Sequence, residues 1–218
     1  MEITIAIIIV KDKTHKGFLF VLFNKNWYNI GGSGWFMYKK LNILDESDKR
    51  LRQVSVDAKL PLSREYKKII QHIIDELTYS QIEELSEKYD LRPGMGLAFP
   101  QLGINERIIV IVHEVEEGKF DNYVVINPKI VSSSEEMIAA EVGEGCLSVN
   151  RDVPGHVKRH ARVTIEGYDE DGNKIRIRAR EELSIAFQHE VDHLNGILFY
   201  DRIDKNKPFY TEDELRLI

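Results

Sequence analysis

The chain has 218 residues, 43% of them hydrophobic and 30% charged, so it can bury a core and lies far from disordered composition. Thirty Lys+Arg against 36 Asp+Glu leave a net charge of −6, which excludes a global basic field. Neither sequence-specific nucleic acid nor a membrane is therefore expected as a partner. The single cysteine, Cys146, excludes an internal disulfide and points to the cytoplasm.

Residues 1 to 36 hold two β-rich runs, Met1 to Val10 and Phe18 to Phe23, both too short to span a bilayer, and a Gly31-Gly32-Ser33-Gly34 turn. They read as an N-terminal extension, either a hairpin-like appendage or a poorly specified arm, ahead of a single domain over 37 to 218. From Ser63, the residues Tyr66, Ile69, Ile70, Ile73, Ile74 and Leu77 recur at helical steps and predict an amphipathic helix. A second helical stretch, Gln81 to Tyr89, stops at Pro93-Gly94, and a loop leads to a buried strand over Arg107 to Val112. Tyr123 to Ile126 reads as a strand closed by Asn127-Pro128, and Arg162 to Tyr168 with Lys174 to Arg178 as a hairpin around Asp171-Gly172. A long helix from about Leu183 to Leu194 ends at Asn195-Gly196, and Thr211-x-x-Glu214 predicts a short tail helix through a capping box. Strands without regular intervening helices favour an α+β fold over a doubly wound parallel sheet.

The segment His189-Glu190-Val191-Asp192-His193 carries the chemistry. Two histidines four apart on a helix share a face and can reach one metal ion, while Glu190, turned to the side, can serve as a base. Extended zinc peptidases continue this motif to a third histidine, but Phe199 stands there and cannot bind metal, so another donor is needed. Cys146, in Glu144-Gly145-Cys146-Leu147-Ser148, is the best candidate, since a thiolate is a strong ligand. Taken alone, a single cysteine is more often an inert buried thiol, and its pairing with HExxH is what favours a ligand role. In Gly94-Met95-Gly96-Leu97-Ala98-Phe99-Pro100-Gln101, the Gln101 amide can donate to a polarised oxygen, although the segment also reads as a plain turn.

Together GMGLAFPQ (94 to 101), EGCLS (144 to 148) and HEVDH (189 to 193) resemble the three signature motifs of peptide deformylases, and LSVNRDVPG resembles the second bacterial subtype. The likeness runs from about Leu60 to Asp204. It implies an α+β fold of mostly antiparallel sheets packed around a central helix of the C-terminal half that carries HExxH. The implied activity is metal-dependent removal of the formyl group from the N-terminal formylmethionine of newly made proteins, releasing formate. This is hydrolysis of a linear amide other than a peptide bond. The resemblance implies Cys146, His189 and His193 as metal ligands and Glu190 as general acid/base. Gln101 and the Leu147 amide would hold the oxyanion, and Gly96 would lie along the substrate. The expected cofactor is one divalent ion, Fe(II), with Zn, Ni or Co able to replace it. The expected partners are formyl-Met nascent peptides, with transient ribosome association.

Two residues depart from the family pattern: Phe99 replaces a usual alanine and is expected to pack into the core, and His156 stands where relatives often have tyrosine. His15, His72, His113 and His160 have no matched role and are expected in solvated or packing positions. An endopeptidase acting on internal amides, and a metal-stabilised binding module without activity, are the rival readings. The intact Glu190 argues against the second, because a structural site needs no base.

Overall fold

The computed structural model describes the backbone of residues 6–11, 17–23 and 26–29 and all of residues 38–218. The glycine-rich turn at 31–34 and His15 lie outside them. The chain divides into two compact units, Met1–Lys39 and Lys40–Ile218. In the first, β1 (Ala6–Lys11), β2 (Gly17–Phe23) and β3 (Asn26–Asn29) pair antiparallel in chain order. Strand β1 takes in the described part of the first apolar run and β2 the second, while four residues are too few for β3 to stand out as a run.

The second unit begins its helices with α1 (Arg64–Ser80) and α2 (Glu83–Tyr89). The strands β4 (Gly96–Ala98), β5 (Ile108–Glu116), β6 (Lys119–Ser133), β7 (Met137–Ala139), β8 (Arg159–His160), β9 (Arg162–Tyr168) and β10 (Lys174–Arg180) follow. Then come α3 (Glu181–Leu194) and β11 (Arg216–Leu217). One antiparallel sheet has the order β10-β9-β6-β5-β4, and a small sheet has the order β11-β7-β8. The fold is α+β.

Strand β5 shows why the large sheet is covered on both faces. Its side chains alternate: Ile108, Val110 and Val112 join Ile70, Ile73 and Leu77 of α1 in one core, whereas Ile109 and Ile111 join Phe187, Val191 and Leu194 of α3 in another. A continuous apolar run suits a strand buried twice over. Helix α3 is central, packing against β4, β5, β9 and β10 and also against β8 of the small sheet. Ser63 caps α1 by accepting from the Tyr66 amide at 3.2 Å. No described helix is long and apolar enough to cross a membrane.

Two local expectations fail. The strand over 123–126 does not end at Asn127-Pro128 but continues to Ser133 through a register shift between Ile126 and Lys129. Asn127 takes φ +53, and its amide pairs with both the N–H (2.8 Å) and the carbonyl (3.0 Å) of Ala58. Pro128, which has no N–H to give the ladder, is accommodated at this bulge. The tail helix at Thr211-x-x-Glu214 is a single turn: Thr211 N donates to the Glu214 carboxylate at 3.2 Å, but β11 then pairs parallel with β7. Burial of Leu215 and the Arg216 ion pairs with Glu136 and Glu181 draw the chain into that strand instead.

Candidate metal centre and active site

Helix α3 is buried over most of its length, so its polar residues face either the sheet-side core or a cleft. His189 and His193, one turn apart, have ring centroids 5.0 Å apart. Cys146 arrives from the loop after β7, which turns at Gly143 in the left-handed region (φ +81). The loop curls around the sulfur: Ser148 N donates to Sγ at 3.4 Å, and Val149 N donates to the Cys146 carbonyl at 3.0 Å. Sγ lies 3.3 Å from His193 Nε2, and one donor atom from each of the three residues falls within 4.8 Å of the other two. Among the described residues this is the one such group of three.

Around the group runs an ion network that the sequence reading did not assign. His189 Nδ1 lies 2.8 Å from Glu144. Arg159 grips both oxygens of Glu144, at 2.7 and 3.0 Å, and donates through its other Nη to Asp192 at 2.6 Å. Arg202 closes on Asp192 from the other side. Burial opposes ionisation of Glu144, but hydrogen bonds from His189 and Arg159, together with the Arg159 charge, outweigh it and hold the carboxyl at about 2. Burial works against protonation of His189, but its hydrogen bonds with Cys146 and Glu144 and the charges of both outweigh it and raise the imidazole well above the usual range; a cation taking the place of one proton would leave the Nδ1–H on the ionised Glu144, which only accepts. Burial pushes His193 well below the usual imidazole range, the charges of His189 and Arg159 adding to it. Glu144 opens EGCLS and Asp192 sits inside HEVDH, so motif membership could have flagged both. Nothing local marks Arg159.

Glu190, 3% exposed, packs its carboxylate against Gly96, and its Oε2 has no hydrogen-bond partner. Burial pushes its carboxyl up to about 7, the His189 charge opposing and the Glu144 charge adding. Gln101 is held in one orientation: its Oε1 accepts from Ala98 N at 2.8 Å, and its Nε2 points to Ser148 Oγ (3.1 Å) and toward Cys146 Sγ (3.7 Å). Leu147 is fixed through its carbonyl by Arg92, which also donates to the Val149 carbonyl at 3.0 Å. The Leu147 N–H donates to no described residue. Cys146, Leu147, Gln101, Gly96, His189 and Glu190 all line one cleft of about 900 Å³, and His193 is buried behind it, with Nε2 3.3 Å from Cys146 Sγ.

Phe199 is buried and stacks on His189, with centroids 6.1 Å and planes 19° apart, so it walls the ligand it cannot replace. Phe99 is fully buried in the α1 core, edge-on to Tyr66 at 5.5 Å, and does not line the cleft. His156 is buried away from the cleft lining, accepting from Tyr210 N at 3.0 Å and facing the Glu141 carbonyl at 3.2 Å. His160 Nδ1 faces the Ser134 carbonyl at 2.7 Å. A divalent cation fits the centre: one sulfur and two imidazoles converge, one ring has its proton turned outward, and a buried carboxylate oxygen beside them lacks a partner.

Comparison with known proteins agrees with this geometry. Residues 40–209 match the polypeptide deformylase family model. The chain is 46% identical to peptide deformylase 2 of Geobacillus stearothermophilus over 172 residues, covering 79% of this chain and 94% of that one. It is 48% identical to a peptide deformylase of Shouchella clausii over 163 residues, 75% and 89% of the two chains. Among solved structures, the peptide deformylase of Thermotoga maritima matches with TM-score 0.60 and 31% identity, covering 76% and 99% of the two chains. A class I type b peptide deformylase from Acinetobacter baumannii with Met-Ala-Ser bound matches with TM-score 0.61 and 26% identity, covering 77% and 100%. This chain belongs to the peptide deformylase family, metal-dependent hydrolases that remove the N-formyl group from the N-terminal formylmethionine of newly made proteins.

Proposed function

We propose that Cys146, His189 and His193 hold one Fe(II) ion, with Glu190 as general acid/base and Gln101 Nε2 and the Leu147 N–H as oxyanion donors. The observation that carries this reading is the convergence of three ligand atoms within 4.8 Å of one another, beside a buried Glu190 in the same cleft. When bound, the cation supplies a nucleophile at neutral pH by lowering the pKa of water from 15.7 toward about 7 and polarises the formyl oxygen. The soft thiolate and two imidazoles also accommodate Zn, Ni and Co. Iron beside a thiolate predicts activity that decays in air, with slower decay for nickel-loaded protein; equal decay would count against iron's special liability.

Glu190 takes the proton of the attacking water and returns it to the departing amine, and a carboxyl raised by burial is matched to both duties near neutral pH. As negative charge grows on the formyl oxygen, Gln101 and Leu147 donate to it; each such donor is worth roughly 2–4 kcal/mol of barrier. Gln101 needs no reorganisation, because its oxygen is already bound by Ala98. Strand β4 ends the large sheet and pairs on one side only, with β5, and Gly96 at its start lines the cleft where an extended peptide would lie. Ile185 and Ala186, one turn before His189, give an apolar wall for the methionine side chain.

Glu190→Gln is expected to lower formate release from formyl-Met-Ala-Ser by roughly 10²–10⁴-fold with metal content unchanged. Residual activity near wild type would refute the assigned role. We also place the catalytic domain at 37–218, so a chain beginning at Met37 should retain kcat/KM; loss of folding or activity would refute that boundary. The substrate's origin supports a cytoplasmic enzyme that meets ribosomes transiently, which co-sedimentation with ribosomes tests; no enrichment would exclude the contact.

A further inference from the structure

The β9–β10 hairpin carries opposite chemistry on its two faces. On β10, Ile175, Ile177 and Ala179 turn toward α3 and its core, while Lys174, Arg176, Arg178 and Arg180 alternate with them and are exposed. This second face belongs to the side of the sheet on which α1 packs. Helix α1 lies on β5 and β6, however, and of β9 and β10 its core takes in only Tyr168, which stands opposite Lys174. Beyond Tyr168, the outward residues of β9 are Glu166, Thr164 and Arg162, and Lys129 of β6 lies opposite Glu166. Glu166 is already paired with Arg176 at 3.2 Å, and Arg162 with Glu136 at 2.7 Å. Lys129, Lys174, Arg178 and Arg180 have no ion-pair partner among the described residues.

We infer that this face of β9 and β10 binds the phosphate backbone of RNA without reading its sequence. Charge of any kind guards an edge strand such as β10, but here six cations surround one acid on a chain of net charge −6, a local field of one sign. Arg180 even stands directly opposite Arg162, a placement that costs stability unless an anion answers it. Successive outward side chains of a strand are roughly 7 Å apart, so the four cations of β10 form a ladder of about 20 Å. Guanidinium forks along such a ladder suit a chain of phosphates. A bilayer would gain no apolar insertion, because the outward residues of β9 and β10 are charged or polar apart from Tyr168, which the α1 core holds. With no free aromatic ring among them, bases have nothing to stack on, so the contact is to backbone alone. The choice of RNA over other polyanions rests on the deformylase reading, since an enzyme of newly made chains works where RNA is the abundant polyanion.

The test is binding of a short, fluorescein-labelled RNA duplex of mixed sequence to the metal-loaded protein, followed by anisotropy from low to high salt. Formate release from formyl-Met-Ala-Ser is measured on every sample. For wild type, the logarithm of the binding constant should fall with the logarithm of salt at a slope of about −3 to −4, as four neutralised phosphates require. Lys174→Gln/Arg178→Gln should bind about tenfold more weakly at low salt, with a slope about 2 less steep, and release formate as wild type does. Lys49→Gln/Lys205→Gln removes the same charge elsewhere on the surface and should bind as wild type does. No binding by wild type, or equal binding by the two double variants, overturns this inference alone. A preference for one duplex sequence over another, or tighter capture by phosphatidylglycerol vesicles than by the duplex at equal salt, also overturns it. Failure of wild type to release formate would instead overturn the deformylase reading, whatever the duplex shows.

Discussion

Glu190 stays where it is because Gly96 has no Cβ: one built there would lie 2.4 Å from Glu190 Oε1 and 2.9 Å from its Cγ. The Glu190 side chain is buried, so it cannot yield to a Cβ without shifting within the cleft. Gly96→Ala is therefore expected to lower kcat by about 10²-fold, the scale of an ångström-sized misplacement. The denaturant midpoint should move far less. An unchanged kcat would show that the glycine is not what positions the base. The residues of this centre differ in how readable they are. His189, Glu190 and His193 announce themselves through helical spacing within five residues. Cys146, Gln101 and Leu147 gain meaning only from the order of three motifs. Arg159 is silent, because its partners Glu144 and Asp192 lie 15 and 33 residues away and no local pattern encodes such a pairing.

At the scale of elements, Arg159 joins β8 to the loop carrying Cys146 and to α3, which holds the two imidazoles. Arg159→Met would leave the buried Glu144 without its guanidinium and Asp192 with Arg202 alone, and a loss of about 3–5 kcal/mol is expected in chemical denaturation. A change below about 1 kcal/mol would contradict the structural weight given to this pair. The pH dependence follows from Glu144, whose folded-state value of about 2 lies below its ordinary 4.5. A depressed carboxyl contributes stability that is fully present above pH 4.5 and is lost as the pH falls toward 2. With Arg159 gone, Glu144 titrates higher, so the acid-unfolding midpoint should move to higher pH; an unmoved midpoint would assign the acid limb elsewhere. Periodicity revealed α1, α3 and the β9–β10 hairpin because each is a local pattern. It missed the passage of β6 through Asn127-Pro128, which depends on Ala58, and it missed β11, which exists only by pairing with β7 far earlier in the chain.

For the molecule as a whole, the large sheet and α3 form a rigid base on which a loop from the small sheet delivers a sulfur to two rings. The account stands or falls on that convergence holding one catalytic cation. The direct measurement is formate release from formyl-Met-Ala-Ser by wild type and Cys146→Ala, with the bound metal quantified in each sample. The account predicts that wild-type turnover rises in proportion to metal occupancy up to one ion per chain, and that Cys146→Ala loses metal and turnover together. Formate release that is independent of metal content, or undiminished in Cys146→Ala, would contradict it.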